Sequence, residues 1–199
     1  MPMTTEEMER LKSTHLAPYM QLATVLIGKS REAGGNMFRH QLDTMTILID
    51  YSVIDTVLLK AAIVHDVLED IPDFNHNNLI SLDYEGHEVY ELVREVTRIP
   101  EETKADFLTR ILQTGSWKAK ILKAADRISN MISLGYVNDM EFVSRYTDET
   151  ERYVYPIAEQ VNGYMLRELQ DLVASRRKYL ADFARLKSEE RIIDSTDFL

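Results

Sequence analysis

The pair His65–Asp66 has the clearest chemistry in this sequence, because it stands at the end of an apolar run. Residues 56–64 read TVLLKAAIV, so the pair is expected to be buried late in a helix. Burying both groups is costly unless a divalent metal takes the neutral imidazole and the carboxylate together. His40 and Asp126 are the candidates for the remaining ligands. Taken alone, His40 is typical of a structural histidine, and the other three residues favour its being a ligand.

Two acidic residues follow the pair and crowd negative charge at the same helix end. If one helix continues through Asp70, Glu69 lies one turn after His65, and Asp70 lies one turn after Asp66. Like charges at this spacing raise one another's pKa and destabilise the fold, and a bound cation removes the conflict. A solvated helix terminus with capping acids is the alternative. It explains Glu69 and Asp70, but it explains the buried pair before them poorly.

Asp126 lies at the border of the apolar face of another predicted helix, over residues 117–135. On this helix Lys123, Arg127 and Asn130 are expected on the polar side. A carboxylate at the edge of a core is where an inward-facing ligand would sit. The alternative is an ordinary surface network of side chains three and four residues apart.

The chain that positions these residues is predicted to be all-α. It has 199 residues, 45% of them hydrophobic, with only 7 Gly and 5 Pro, which favours one domain of long helices. The glycine pair within residues 31–36 predicts a break. Helices are predicted over residues 5–30, 40–51, about 55–70, 79–97 with a break at Gly86, 101–113, 117–135 and 142–169, the last bent near Pro156.

Charge and composition exclude several classes of protein. The net charge of −10 argues against broad binding to nucleic acid, although a metal and a few local cations still allow a small anionic substrate. Cysteine is absent, which excludes disulfides, thiolate zinc sites and a thiol nucleophile. No apolar stretch has the length of a membrane span, so we expect a cytoplasmic protein without a membrane partner. The sequence does not determine an oligomeric state.

The order and spacing of these residues resemble the RelA/SpoT-type alarmone hydrolases of the HD superfamily. Residues 65–70, HDVLED, are similar to their His-Asp-x-x-Glu-Asp motif, and residues 121–131, ILKAADRISNM, to their Lys-x-Ala-Asp-Arg-x-x-Asn-Met signature. Residues 96–97 and 153–158 fall where that family has Val-Thr and Ile-Tyr-x-Pro-Leu-Ala. The resemblance implies an all-α HD-domain helical bundle, a single domain over 1–199. Its motif-bearing core would cover about 25–165, and a C-terminal helix and tail would cover 166–199.

The resemblance also implies a ligand set and a reaction. In that family two histidines and two aspartates bind Mn²⁺, and the enzyme removes the 3′-pyrophosphate of guanosine tetra- or pentaphosphate. Carried over residue by residue, the ligands of Mn²⁺ or of another divalent metal are His40, His65, Asp66 and Asp126. Glu69 and Asp70 would position or activate water.

A set of substrate contacts completes the predicted site. Its members are Lys29, Arg31, Arg39, Lys123, Asn130 and Tyr153. The first three are cations that can neutralise phosphate charge, and the next two lie near the nucleotide if the family pattern holds. Tyr153 is expected in one wall of the cleft, with a position in the core as the alternative.

Three short segments depart from the family pattern, and all of them flank the expected nucleotide pocket. Residues 37–41 read MFRHQ where the family usually has Pro after the histidine, Ile71 stands where Thr is usual, and residues 34–36 are Gly-Gly-Asn. Other substrates therefore stay open: the 2′-phosphate of NADPH, ppApp or a dNTP. A nucleotide-binding protein without turnover is the further alternative, and the intact pair Glu69–Asp70 argues against it. The chain length is similar to that of the small single-domain hydrolases of the family.

Overall fold

The fold is all-α, as predicted. The computed structural model describes the backbone of residues 3–196 and the side chains of residues 3–187. Its α-helices are α1 (Thr5–Ser13), α2 (Ala17–Ala23), α3 (Met37–Asp50), α4 (Thr56–Val64), α5 (Val67–Asp70), α6 (Asn77–Ile80), α7 (Gly86–Val96), α8 (Lys104–Thr114), α9 (Trp117–Ser133), α10 (Met140–Glu149), α11 (Tyr155–Val161) and α12 (Gly163–Thr196). Over the described backbone there is no strand, and the only bridge of β type is an isolated one between Ser30 and Asn36.

The predicted break before α3 is confirmed, and it fixes where that helix begins. Gly34 and Gly35 have φ angles of 85° and 81°, a conformation that favours glycine. The side chain of Asn36 then caps α3 by accepting a hydrogen bond from the backbone N–H of Arg39. The helix therefore begins at Met37, and His40 lies in its first turn.

The helix that leads to His65 is shorter than predicted. Asp55 caps α4, every residue of the following segment from Val57 to Val64 is buried, and the helix ends there. The imidazole of His65 bonds the carbonyl oxygen of Ala62 at 2.9 Å, which a continuing helix would use for the N–H of residue 66. The prediction of one helix through Asp70 is therefore wrong: His65 and Asp66 form a turn, and α5 starts afresh after them.

The central element is α9, which Ser116 caps through its side chain. It packs against α3, α4, α7, α11 and α12, so its buried face meets both the helix that carries His40 and the helix that leads to His65. This packing brings residues that are far apart in the sequence into one core.

Two other long helices of the sequence prediction are interrupted. The predicted helix 5–30 is divided into α1 and α2, and a proline stands in the first turn of α2. The predicted helix 142–169 is divided by a π-helical turn, Thr150–Val154, and by Asn162, whose backbone is extended. The C-terminal helix α12 reaches Thr196, and the end of the predicted tail, residues 197–199, lies outside the described residues. Among the described helices, none is both long and apolar enough to cross a bilayer.

Candidate metal centre

Three buried side chains from three parts of the chain converge on one point. His40 comes from α3, His65 from the turn after α4, and Asp126 from α9, and one ligand atom of each lies within 4.8 Å of the others. The Oδ1 atom of Asp126 is 3.0 Å from Nε2 of His40 and 3.7 Å from Nε2 of His65. Two imidazole nitrogens and a carboxylate oxygen form a donor set that divalent transition metals accept.

Both imidazole rings are held by their outer nitrogen, so the inner nitrogen faces the centre. Nδ1 of His65 donates to the carbonyl of Ala62, and Nδ1 of His40 lies 2.8 Å from Oγ of Ser129. The Nε2 atom of His65 is buried and has no hydrogen-bond partner among the described residues. A buried nitrogen lone pair without a partner, on a ring oriented from behind, fits a metal ligand.

The structure also brings Asp66 to this point. Its Oδ2 atom is 3.3 Å from Nε2 of His65 and 3.6 Å from Nε2 of His40. The side-chain amide of Gln41 donates to the same oxygen at 2.7 Å. The four residues predicted as ligands are therefore assembled around one place, although they span 86 positions of the chain between the first and the last.

The charges of the cluster attract a cation. Burial disfavours a charged His65, but Asp66 and Asp126 outweigh it and raise the pKa of His65 to about 9. Burial lowers the pKa of His40. Burial also opposes a charged Asp126, yet Lys123 and the two histidines hold its pKa well below the ordinary value. A divalent cation at this point would offset the charge of both carboxylates.

Two predicted substrate contacts bear directly on Asp126. Nζ of Lys123 lies 2.7 Å from its Oδ2 atom, and the amide of Asn130 donates to its Oδ1 atom at 2.6 Å. The guanidinium of Arg31 in turn donates to the amide oxygen of Asn130. These side chains therefore orient the carboxylate from both sides, and Arg31 fixes the orientation of the amide.

A cleft of about 470 Å³ opens beside the cluster, and His40, Asp66 and Asp126 are among the residues that line it. Its described charged lining residues are five acids (Glu32, Asp66, Glu69, Asp70 and Asp126) and five bases (Arg31, Arg98, Lys104, Lys123 and Arg127). Because these charges balance, the described lining offers no excess of positive charge to an anion. A bound divalent cation would provide that excess.

Glu69 and Asp70 occupy different environments in the cleft. Glu69 is 45% exposed, with one carboxylate oxygen 3.8 Å from the guanidinium of Arg98, and burial of the remainder raises its pKa despite the nearby Lys123. Asp70 is paired at 2.8 Å with Nζ of Lys29, which also bonds the backbone carbonyl of Asp70. Glu69 is thus the carboxylate that is freer to meet a ligand, and Lys29 is engaged in holding the turn.

The opposite wall of the cleft was not predicted from the sequence. Phe107 from α8 and Phe142 and Tyr146 from α10 line it. The guanidinium of Arg127 lies 4.1 Å from the centre of the Tyr146 ring and donates to Glu149 at 2.6 Å. Arg127 is 1% exposed, so its predicted position on the polar side of α9 is wrong. Its carboxylate partner comes from another helix, and the local pattern carries no signal of that.

Three predicted substrate contacts, Lys29, Arg39 and Tyr153, do not line the cleft. Arg39 is 76% exposed and pairs with Asp43 one turn along the surface of α3. Tyr153 packs against the hydrophobic core beneath the guanidinium of Arg152. The alternative weighed for Tyr153, a packed aromatic residue, agrees with this placement, because the π-helical turn directs Tyr153 to the core and α10 supplies the ring that lines the wall.

Comparison with known proteins identifies the family. A family model described as an HD domain matches residues 19–144. The chain belongs to the HD-domain family. The matched part of this HD-domain protein contains both histidines and both aspartates of the cluster. Family and geometry together support a metal-dependent hydrolase whose metal-binding site includes His40, His65 and Asp126.

One solved structure shows the same fold over most of the chain. It is that of a metazoan ortholog of SpoT, which hydrolyses ppGpp and plays a role in starvation responses. The two proteins are 24% identical with a TM-score of 0.67, and the match covers 88% of this chain and 98% of the other. At this identity the likeness concerns the fold. No curated protein sequence matches this HD-domain protein.

Proposed function

We propose that this HD-domain protein hydrolyses the 3′-pyrophosphate of (p)ppGpp-like nucleotides with Mn²⁺ held by His40, His65, Asp66 and Asp126. The observation that carries the proposal is the convergence of these four side chains beside a cleft lined by both cations and aromatic rings. The reaction of the metazoan SpoT ortholog, which shares the fold, supports the choice of substrate.

The reaction consumes one water and breaks one bond. The water oxygen bonds to the phosphorus attached to the ribose 3′ oxygen, the bond between that phosphorus and the 3′ oxygen breaks, and pyrophosphate and a 3′-hydroxyl nucleotide leave. When bound, the metal lowers the pKa of water and polarises the phosphoryl group. Glu69 accepts the proton that the water loses, which its position in the cleft and its raised pKa favour. The 3′ oxygen takes up one proton as it leaves, so that no net proton is needed to form the 3′-hydroxyl.

The cleft residues divide the remaining tasks. Arg98 and Lys104 are 44% and 48% exposed, so their charged groups are accessible to phosphate oxygens. Lys104 also lies 4.6 Å from the centre of the Tyr146 ring. The rings of Phe142 and Tyr146 add apolar surface to the wall of the cleft, and the cations beside Tyr146 place positive charge at that wall.

The test is a substrate and metal panel on protein stripped with EDTA. We expect Mn²⁺ to restore the release of pyrophosphate from ppGpp and pppGpp, with the nucleoside 5′-diphosphate or 5′-triphosphate as the second product by ion-exchange chromatography. Release of phosphate from NADPH, or hydrolysis of dNTPs or ppApp in preference to the guanosine alarmones, would contradict the proposal.

A matched pair of arginine variants tests the cleft itself. We expect Arg98→Ala to raise KM for ppGpp about tenfold or more, because a charge-assisted hydrogen bond to phosphate contributes about 1.5–3 kcal/mol. Arg39→Ala removes an equally charged side chain that does not line the cleft, and KM should stay unchanged. Equal effects of the two variants would argue against this cleft as the nucleotide site.

A further inference from the structure

Gln41 is the neighbour of His40 on α3, and its side chain is completely buried. Its Nε2 atom donates a hydrogen bond of 2.7 Å to Oδ2 of Asp66, across the turn that follows α4. We propose that Gln41 is a positioning residue of the metal centre, which holds the Asp66 carboxylate toward the two histidines and thereby sets the affinity for the divalent cation. This inference rests on the proposed function, because it takes Asp66 as a ligand.

The geometry gives one oxygen atom two roles. Oδ2 of Asp66 accepts from Gln41 and also faces Nε2 of His65 at 3.3 Å and Nε2 of His40 at 3.6 Å. A carboxylate oxygen has two lone-pair directions, so one can be held by the amide while the other points to the centre. Ligating carboxylates are commonly fixed in this way by a hydrogen bond from behind.

Asp66 needs such a partner more than Asp126 does. Asp126 is held by the ammonium of Lys123 and by the amide of Asn130, both on its own helix. Asp66 stands in a turn, and its side chain does not cap the helix α5 that follows it. Its side chain is 23% exposed against 7% for Asp126, so less packing restricts it. The amide of Gln41 supplies the restriction from α3.

The carbonyl end of the same amide has an energetic cost. Oε1 of Gln41 is buried and has no hydrogen-bond partner among the described residues. Leaving a buried carbonyl unpaired destabilises the fold, and an apolar side chain of similar shape would avoid this cost. Nε2 also contacts Sδ of Met37 at 3.8 Å on the same helix, and a thioether is a weak acceptor, so the bond to Asp66 is the main contribution that a glutamine makes at this position.

The experiment measures metal binding, because binding reports the site without turnover. Each protein is stripped with EDTA, its Mn²⁺ dissociation constant is measured by calorimetry, and the visible absorption spectrum of its Co²⁺ form is recorded. Gln41→Met keeps the length of the side chain and removes the donor. We expect it to weaken Mn²⁺ binding about 10- to 100-fold and to alter the Co²⁺ spectrum, which reports ligand geometry.

Two more variants separate the hydrogen bond from other effects. Gln41→Asn keeps the amide but is one methylene too short to reach Asp66, so it should lose affinity like Gln41→Met. Thr44→Val is the control: Thr44 is also fully buried on α3, and its hydroxyl bonds only the backbone carbonyl of His40 among the described residues. It should lower the melting temperature and leave the dissociation constant and the Co²⁺ spectrum unchanged.

Each outcome decides the inference. The inference is wrong if Gln41→Met folds and its Mn²⁺ affinity and Co²⁺ spectrum are unchanged. It is also wrong if Gln41→Met loses Mn²⁺ affinity and Gln41→Asn keeps it. An equal loss in Thr44→Val indicates a general loosening of α3 and also overturns it. If Gln41→Met does not fold, the Asn variant decides alone. If the unaltered protein binds no divalent metal, both the proposed function and this inference are wrong.

Discussion

Two clusters of charged residues lie at helix α4 and just beyond its end, and only one of them is complete. At the middle of α4, Nζ of Lys60 lies 2.6 Å from Asp83 and 2.5 Å from Glu85, and the side chain of Lys60 is 2% exposed. The hydroxyl of Tyr19 donates to Asp83 and that of Thr56 to Glu85. Every charge in this cluster has an opposite charge or a hydrogen-bond donor beside it.

The second cluster lies just beyond the end of the same helix and is open. His65 keeps a buried nitrogen without a partner among the described residues, and two carboxylates face it. Buried charge is therefore not in itself the mark of a functional site, because the buried Lys60 has both of its carboxylate partners beside it. The mark is a set of donor atoms that point at one another across a space that a cation can fill.

The largest expected effect is on the open cluster. Asp66→Ala should abolish measurable Mn²⁺ binding and lower turnover about 1,000-fold or more, the scale of the several kcal/mol that a catalytic metal provides. In EDTA, urea unfolding should show a smaller loss of stability than a break in the Lys60 cluster. Mn²⁺ binding by Asp66→Ala as tight as that of the parent would remove Asp66 from the ligand set.

The next effect concerns the closed cluster. Lys60→Met leaves the partly buried Asp83 and Glu85 without their cation and removes two charge-assisted hydrogen bonds, so the free energy of unfolding should fall by about 3–5 kcal/mol. Lys118→Met is the control, because the pair of Lys118 with Asp55 is about one-third exposed and should contribute about 0–1 kcal/mol. Urea unfolding measures the free energy of unfolding of both variants. Equal losses of stability would contradict the difference expected between the Lys60 cluster and the surface pair.

The third prediction separates metal binding from proton transfer. Glu69→Gln should cut kcat about 100-fold, the scale of a lost general base, while Mn²⁺ and nucleotide binding stay intact. Glu91→Gln is matched to it, since Glu91 is 49% exposed and also pairs with an arginine, and it should not change kcat. If Glu69→Gln turns over at the parent rate, Glu69 is not the general base. A partial loss of kcat would indicate that Asp70 acts as a second base.

The smallest expected effect is a pH dependence of the closed cluster. Burial opposes a charged Asp83, but hydrogen bonds from Lys60 and Tyr19 lower its pKa below the ordinary 3.8. A lowered pKa contributes stability that is present above pH 3.8 and is lost as the pH falls through the folded value. Without Lys60 the pKa of Asp83 rises, so the stability difference between the parent and Lys60→Met should shrink as the pH falls from 7 toward 3. Urea unfolding at these pH values measures it, and a constant difference down to pH 3 would contradict it.

The sequence predicted the elements whose causes are local. The glycine pair requires a break, the run before His65 requires burial, and the periodic apolar residues of 117–135 require a helix. The interruptions were missed because their causes are specific contacts. The ring of His65 takes the carbonyl of Ala62, and Asn162 adopts an extended backbone at a position where the apolar pattern continues.

By itself, then, the sequence determined which chemical groups are available and in what order: two histidines, two aspartates and the acidic pair after them. Only the tertiary structure decided which groups meet. The packing of α9 against α3 places Ser129 behind His40 across 89 positions of the chain. Contacts between other elements bring Arg127 of α9 to Glu149 of α10 and join Gln41 of α3 to Asp66 after α4. The tertiary structure also placed Tyr146, and not Tyr153, in the lining of the cleft. The physical reason is that a local pattern records whether a side chain must be buried, whereas its partner depends on how distant helices pack.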